Sequence, residues 1–132
     1  MSAINTSNTM SAPPTPPTPP FAWRLFTPSE WAAVESTGVF TGTSLDTTDG
    51  FIHLSLLSEV RSTCAAYFAG ADLVVARVDL SGLRVRNDWV DKRRAFFPHV
   101  LDLHIPLEKF SQKAALVWDA ATNAHVGLPA DC

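Results

Sequence analysis

Apolar positions alternate with polar ones in several short stretches of the chain and recur at helical spacing in others. Ala22 to Phe26 is a short, largely apolar run that reads as a strand. Directly after it, Thr27-Pro28-Ser29-Glu30 carries the start signals of a helix. Thr27 is a side-chain cap, Pro28 sits where a missing N–H costs nothing, and Glu30 is placed to close a capping box. Phe26 and Trp31 flank the cap at the spacing of a hydrophobic staple, and Gly38 ends a helix over 28–37. Val39 to Thr48 is rich in threonine with little period, so it reads as an extended connection or a short strand, and Asp49-Gly50 is a turn. Phe51 to Leu54 is a strand. Ser55 then caps a second helix, in which Leu56, Val60, Cys64, Tyr67 and Phe68 recur at helical intervals up to Gly70.

Asp72 to Leu80, rich in valine and leucine, is the strongest strand and is predicted to be central. The charge-rich stretch Ser81 to Ala95 reads as a polar loop region. Beyond it, Phe97 to Ile105 is extended, Leu107 to Ser111 is a helical turn after Pro106, and Ala114 to Trp118 is the final strand. Strands and helices without regular alternation predict an α+β domain.

Length and composition narrow the function classes. A chain of 132 residues fits one domain, and 46% hydrophobic residues with four tryptophans can bury a core. That domain is read over 21–122, followed by a C-terminal tail over 123–132. Residues 1–20 carry no charge and hold six of the ten prolines, so they read as a disordered tail of polyproline character. A net charge of −3 gives no overall attraction to phosphate backbones or anionic bilayers, which argues against general nucleic-acid or membrane binding. With neither an apolar run of roughly 18 residues nor a secretory leader in view, a cytoplasmic location is the expectation. The two cysteines, Cys64 and Cys132, suggest no disulfide framework and no thiol redox motif.

Two phrases carry the candidate chemistry: Asp49-Gly50-Phe51-Ile52-His53-Leu54-Ser55 and Phe96-Phe97-Pro98-His99-Val100. On a strand, His53 shares a face with Phe51 and Ser55, while Ile52 and Leu54 take the other. If Ile52 and Leu54 fill the core, His53 and the Ser55 hydroxyl open outward. Pro98 holds the backbone before His99 extended and aims its ring. Two imidazoles that meet suit a polar ligand, because each nitrogen donates or accepts and the ring titrates near neutral pH. The ordinary alternative for each is a hydrogen-bonded structural histidine. A zinc ion held by His53, His99 and His104 is a competing use, but the spacing matches no recognised metal pattern, so no metal is expected. His104 and His125 read as structural. Arg93 and Arg94 have the fork geometry that clamps phosphate, against the plain reading of a solvated loop.

These phrases together resemble domain-of-unknown-function family 952, from about Trp23 to Trp118. Its marks are Trp31, Gly38, the DGFIHLS phrase, Phe68-Ala69-Gly70, a Leu-Val strand and the Phe97-Pro98-His99 phrase. The resemblance implies an ADP-ribosyltransferase-like fold, a mixed, split sheet with two main helices, closest to the branch that removes RNA 2′-phosphates. It also implies NAD as the cofactor and a small-molecule nucleotide as the partner. The sequence departs from the family where Val90 replaces a glutamate, Leu101 a tyrosine and Glu59 a glutamine; Asp91 stands beside Val90 as a candidate replacement acid. The expected site is then His53 and His99 as catalytic residues, with Ser55, Arg93, Arg94 and Asp91 binding the ligand. The alternative is a non-catalytic domain that keeps the cleft and binds a nucleotide or a partner.

Overall fold

The computed structural model describes residues 12–130 and 132. Its elements run in order: β1 (Phe21–Phe26), α1 (Pro28–Thr37), β2 (Val39–Phe40), α2 (Ser44–Asp49), β3 (Ile52–His53), α3 (Val60–Tyr67), β4 (Leu73–Asp79), β5 (Val85–Val90), β6 (Ala95–Val100), β7 (Ile105–Pro106), β8 (Phe110–Asp119) and β9 (Ala124–Val126). Short 3₁₀ turns at Leu57–Glu59, Asp91–Arg93 and Leu107–Lys109 join them.

The strands fall into a four-stranded sheet ordered β9-β8-β4-β1, a three-stranded sheet ordered β3-β6-β5 and the pair β2-β7. Each of these pairings is antiparallel, which corrects the expected mixed sheet. Parallel pairs need long crossovers, and the connections of this chain do not bring two strands together in that sense. Trp23 and Ser55 exchange backbone hydrogen bonds of 2.8 Å, so an isolated bridge joins β1 to the end of the three-stranded sheet. A bulge between Val75 and Arg77 on β4 breaks the register with β8 and adds curl to the sheet.

β1 and β4 lie inside the chain's packing and bury both faces. Ala22 and Phe26 of β1 join Ala76 and Val78 of β4 in one apolar cluster, under Trp31 and Val34 of α1. Trp23 and Leu25 join Leu73 and Val75 on the other face, under Val60 and Cys64 of α3. The expected central strand is thus interior. In the first cluster Phe26 meets the rings of Trp31, Phe40 and Phe110 at centroid separations of 5.1, 5.0 and 5.6 Å.

Local signals set α1 as expected: Thr27 Oγ1 accepts from the Glu30 N–H, Glu30 returns the bond to the Thr27 N–H, and Gly38 closes the helix at φ 81°. Three readings need correction. The stretch 39–48 holds most of α2, started by a capping box of Thr43 and Asp46, so among the described residues a short third α-helix joins the two main ones. Ser55 does not cap the second helix; its backbone bridges Trp23 and the helix begins after a 3₁₀ turn. The polar loop 81–95 contains β5, which pairs with β6 along its whole length.

At the C-terminal end, Ala124–Val126 is an edge strand on β8, where the sequence suggested a tail, and His125 is buried there, bonded at 2.8 Å to the Ala71 carbonyl. Residues 1–11 of the proline-rich tail lie outside the described residues; residues 13–19 form neither helix nor strand, and the Pro20 carbonyl accepts from the Leu80 N–H. No helix among the described residues is long and apolar enough to cross a membrane.

Phe26→Ala is expected to destabilise the fold by about 3–5 kcal/mol in urea denaturation, the usual cost of deleting a fully packed ring. Leu45→Ala, at an exposed position, should stay within about 0.5 kcal/mol of the parent. Equal effects from the two would overturn this account of the core.

Candidate functional site

Register decides which side chains meet. In the β3–β6 pair, His53 stands directly opposite His99, so both rings leave the sheet on one face. Their centroids are 5.2 Å apart, in edge-to-face contact. The period-2 pattern explains why they are available: Ile52 and Leu54 are fully buried on the core side while His53 opens the other way. Phe51 folds over the pair and stacks on His99 at 4.2 Å with 22° between the planes.

Each imidazole is held by carboxylates. Nδ1 of His53 lies 2.6 Å from Asp46 Oδ1, and its Nε2 lies 2.8 Å from Asp49 Oδ2. Nδ1 of His99 lies 2.6 Å from Asp88 Oδ2, a carboxylate also bound through both oxygens by the Arg86 Nε at 2.8 and 2.9 Å. The Asp46 side chain is 1% exposed, and Arg24 of β1 reaches both of its oxygens at 3.1 and 3.0 Å.

These partners set the rings apart electrostatically. The Asp46 hydrogen bond raises the pKa of His53 above the ordinary histidine value; burial opposes it and Asp49 adds to it. For His99 burial is the largest effect and lowers the pKa, outweighing the hydrogen bond it donates to Asp88, with the His53 and Arg86 charges adding to the fall. Burial works to raise the pKa of Asp46, but the bonds and charge of His53 and Arg24 prevail and hold it below the usual carboxylate range. Near pH 6.5, therefore, His53 is mostly charged and His99 mostly neutral. A neutral His99 keeps its proton on Nδ1, facing Asp88, and leaves a lone pair on Nε2. That Nε2 has no hydrogen-bond partner among the described residues.

Both histidines line a solvent-reachable hollow of about 570 Å³ between the two larger sheets and α3. Arg93 lines the hollow as well, beside Thr63 and Phe97. Its Nη2 donates to Ser62 Oγ and Thr63 Oγ1, each at 2.9 Å, and its guanidinium lies over the Phe97 ring at 4.7 Å. The nearest carboxylate, Glu59, stands 3.9 Å away, and the Arg93 side chain is only 13% exposed. Ser55 also lines the hollow, but its hydroxyl approaches Thr63 Oγ1 at 3.4 Å and so belongs to the Arg93 end.

Two expected ligand residues are not brought to the hollow. Asp91 and Arg94 pair with each other at 3.0 Å, and Arg94, in a left-handed conformation at φ 54°, lies over Trp89 outside the lining. The 3₁₀ turn at 91–93 separates them: Lys92 and Arg93 are in the lining, while Asp91 and Arg94 are not. Val90, where the resemblance led to an expected glutamate, is part of the lining, whereas Leu101 is not. His104 is exposed and away from both rings, and among the described residues no group of three or more His, Cys, Asp or Glu side chains is arranged to hold a metal ion.

Sequence reasoning missed Asp46, Asp49, Asp88 and Arg24. Only Asp46 left a local trace, as the third residue after Thr43 in a capping box.

The model of the family described as "Protein of unknown function (DUF952)" matches residues 25–124. Among solved structures, the crystal structure of protein CC0527 from Caulobacter crescentus is 28% identical, with a TM-score of 0.71 over 80% of this chain and 92% of that one. The solution structure of the same protein is 30% identical, with a TM-score of 0.64 over 76% of this chain and 88% of that one. No curated protein matches the chain.

Two predictions follow from the opposed electrostatics. NMR titration of the imidazole protons should place His53 above and His99 below about 6.5. Where the folded pKa is lowered, the folded chain binds fewer protons than the unfolded one, so stability falls as pH drops through the ordinary histidine range toward the His99 value. His99→Gln should flatten that acid-side loss. His53 acts in the opposite sense: its stabilisation is full below the ordinary value and is lost as pH rises through its raised value. Asp46→Asn leaves Arg24 without its partner and should cost about 3–5 kcal/mol in urea denaturation; a change below about 1 kcal/mol would show that the buried pair does not hold this wall.

Proposed function

The chain belongs to the DUF952 family, and for this member we propose that the hollow binds a nicotinamide-bearing nucleotide such as NAD and acts on it as an ADP-ribosyltransferase-like transferase or phosphotransferase. The observation that carries the reading is the convergence of His53, His99 and Arg93 on one hollow. Its volume of about 570 Å³ falls within the range of roughly 300–1,000 Å³ typical of small-molecule sites.

The two ends of the hollow suit the two ends of such a ligand. Phe51, only partly buried in the lining, offers ring surface for a heterocycle. Arg93 is mostly buried with its nearest counter-ion at 3.9 Å, so its charge is incompletely matched and favours an anion such as phosphate. Ser55 supports that end through Thr63. At the other end His99 presents the lone pair of Nε2, which accepts from a ribose hydroxyl or an amide, or takes a proton during transfer. His53 has both ring nitrogens engaged by carboxylates, and so acts on the ligand through its charge and through Asp49. Cleavage of the glycosidic bond of NAD expels neutral nicotinamide and leaves positive charge on the ribose, which an acceptor group, or water when no acceptor is present, captures with loss of a proton.

One observation favours the second reading, a binding domain without turnover. Val90 lines the hollow where the family resemblance puts a carboxylate, and a hydrocarbon side chain cannot stabilise a developing positive charge.

Incubating the full chain with NAD should release nicotinamide, measured by chromatography, and His99→Gln should slow release by about 100-fold or more. Arg93→Ala should weaken NAD binding, measured by calorimetry, with a smaller effect on the rate at saturation. Binding without release supports the second reading. Absence of binding by any adenine nucleotide removes both.

A further inference from the structure

Two carboxylates line the hollow, and the hydrogen bonds treat them differently. Asp46 has both oxygens taken by Arg24, by the Thr43 N–H and hydroxyl, and by the ring and backbone of His53. It has nothing left for a ligand. Asp49 is open: its side chain is 37% exposed, Oδ2 holds the His53 Nε2, and Oδ1 meets no partner among the described residues. Because His53 spends both nitrogens on carboxylates, the polar atom that this wall offers to the hollow is an oxygen of Asp49.

Neighbouring residues point to a ligand at that oxygen. Phe51, two residues on, spreads an aromatic face in the lining, stacked on His99. His99, with a side chain only 7% exposed, holds its unpartnered Nε2 in the same lining. Asp49 is also the last residue of α2, where the helix dipole opposes a negative charge. His53 offsets that cost. The four charges of the wall, from Arg24, Asp46, His53 and Asp49, sum to zero when His53 is protonated, so the wall carries no net repulsion of a cation. The unpartnered Asp49 oxygen sets the local sign, while Lys92 and Arg93 are the further cations of the lining.

We propose that Asp49 contacts the positively charged part of the ligand, a cationic flat ring or the sugar carbon that carries it, supplying the carboxylate that Val90 does not. The ligand class is a molecule with a cationic ring at the Asp49 end and an anion at the Arg93 end. This rests on the reading of the hollow given above as a nucleotide site, and adds to it the residue that selects charge.

The test is an NMR-monitored titration of the full chain with 1-methylnicotinamide, a cationic ring methylated on the pyridine nitrogen, and with its reduced 1,4-dihydro form, neutral and of the same size. Wild type should bind the cation about threefold to fivefold more tightly, the strength of a partly exposed ion pair. Asp49→Asn should make the two affinities equal, while Glu108→Gln, exposed beyond Pro106 and outside the hollow, should keep the preference. Amide spectra of each variant establish that it is folded. Equal binding of the two rings by wild type, no binding of either, or a preference that survives in Asp49→Asn overturns the inference. NAD binding and nicotinamide release, measured on the same samples, separate the two claims. If NAD is neither bound nor cleaved but the cation preference holds and depends on Asp49, the nucleotide reading falls and this inference stands. If NAD is bound and cleaved with no such preference, only this inference falls.

Discussion

The Asp46 carboxylate accepts from a guanidinium on β1, from the cap of its own helix, and from both the backbone and the ring of His53. It ties β1, a core strand 22 residues away in the chain, to two elements too short to be fixed by packing alone. α2 has six residues and β3 has two. Isolated elements of those lengths are unstable in water. A buried charge is expensive unless its lone pairs are filled, and here they are. The enclosure even sets the backbone beside it: Gly42 has φ +91°, and a Cβ there would come within 2.9 Å of the Asp46 Cβ. Any larger residue would both strain the turn and push the carboxylate off its donors.

What the sequence makes legible follows from how local each signal is. α1 is readable to the residue, because cap, box, staple and terminating glycine all lie within a dozen positions. The two faces of β3 are readable for the same reason, since period 2 needs only neighbours. α2 is hidden because its box uses aspartate where glutamate or glutamine is the familiar partner, and because six residues show no apolar period. β5 is hidden because Arg86 and Asp88 look like the charges of a solvated loop, when one holds the carboxylate that the other offers to His99. His125 is buried by β9, an edge strand whose existence depends on β8 and not on its own three residues. At the site, the matched phrases around His53 and His99 suggested a meeting, but the carboxylates that fix each ring come from hydrogen bonds across 7 and 11 residues that no spacing rule records.

The two histidines are alike in sequence and face one another in register, yet their surroundings give them different work. His53 sits between two carboxylates and becomes a charge held inside the wall. His99 is packed under Phe51 with one carboxylate on its Nδ1, and burial favours its neutral form, with Nε2 unpartnered among the described residues. Pairs of titratable groups driven apart in this way mark acid–base assignments in catalytic sites. Here the division is sharper, because the group driven up has no free nitrogen. Whatever His53 does for a ligand, it does through Asp49.

That arrangement bears on whether the missing acid at Val90 means a missing activity. A carboxylate stabilises a developing cation through its charge and its distance, and the strand that delivers it is secondary. Asp49 is on the same hollow as Val90, is anchored at one oxygen and free at the other, and is flanked by an aromatic face. Its anchor, His53, is in turn fixed by the same Asp46 that holds α2, so the acid and its support move as one body. A valine at position 90 therefore does not leave the hollow without a carboxylate, because Asp49 at the end of α2 keeps one oxygen without a protein partner among the described residues.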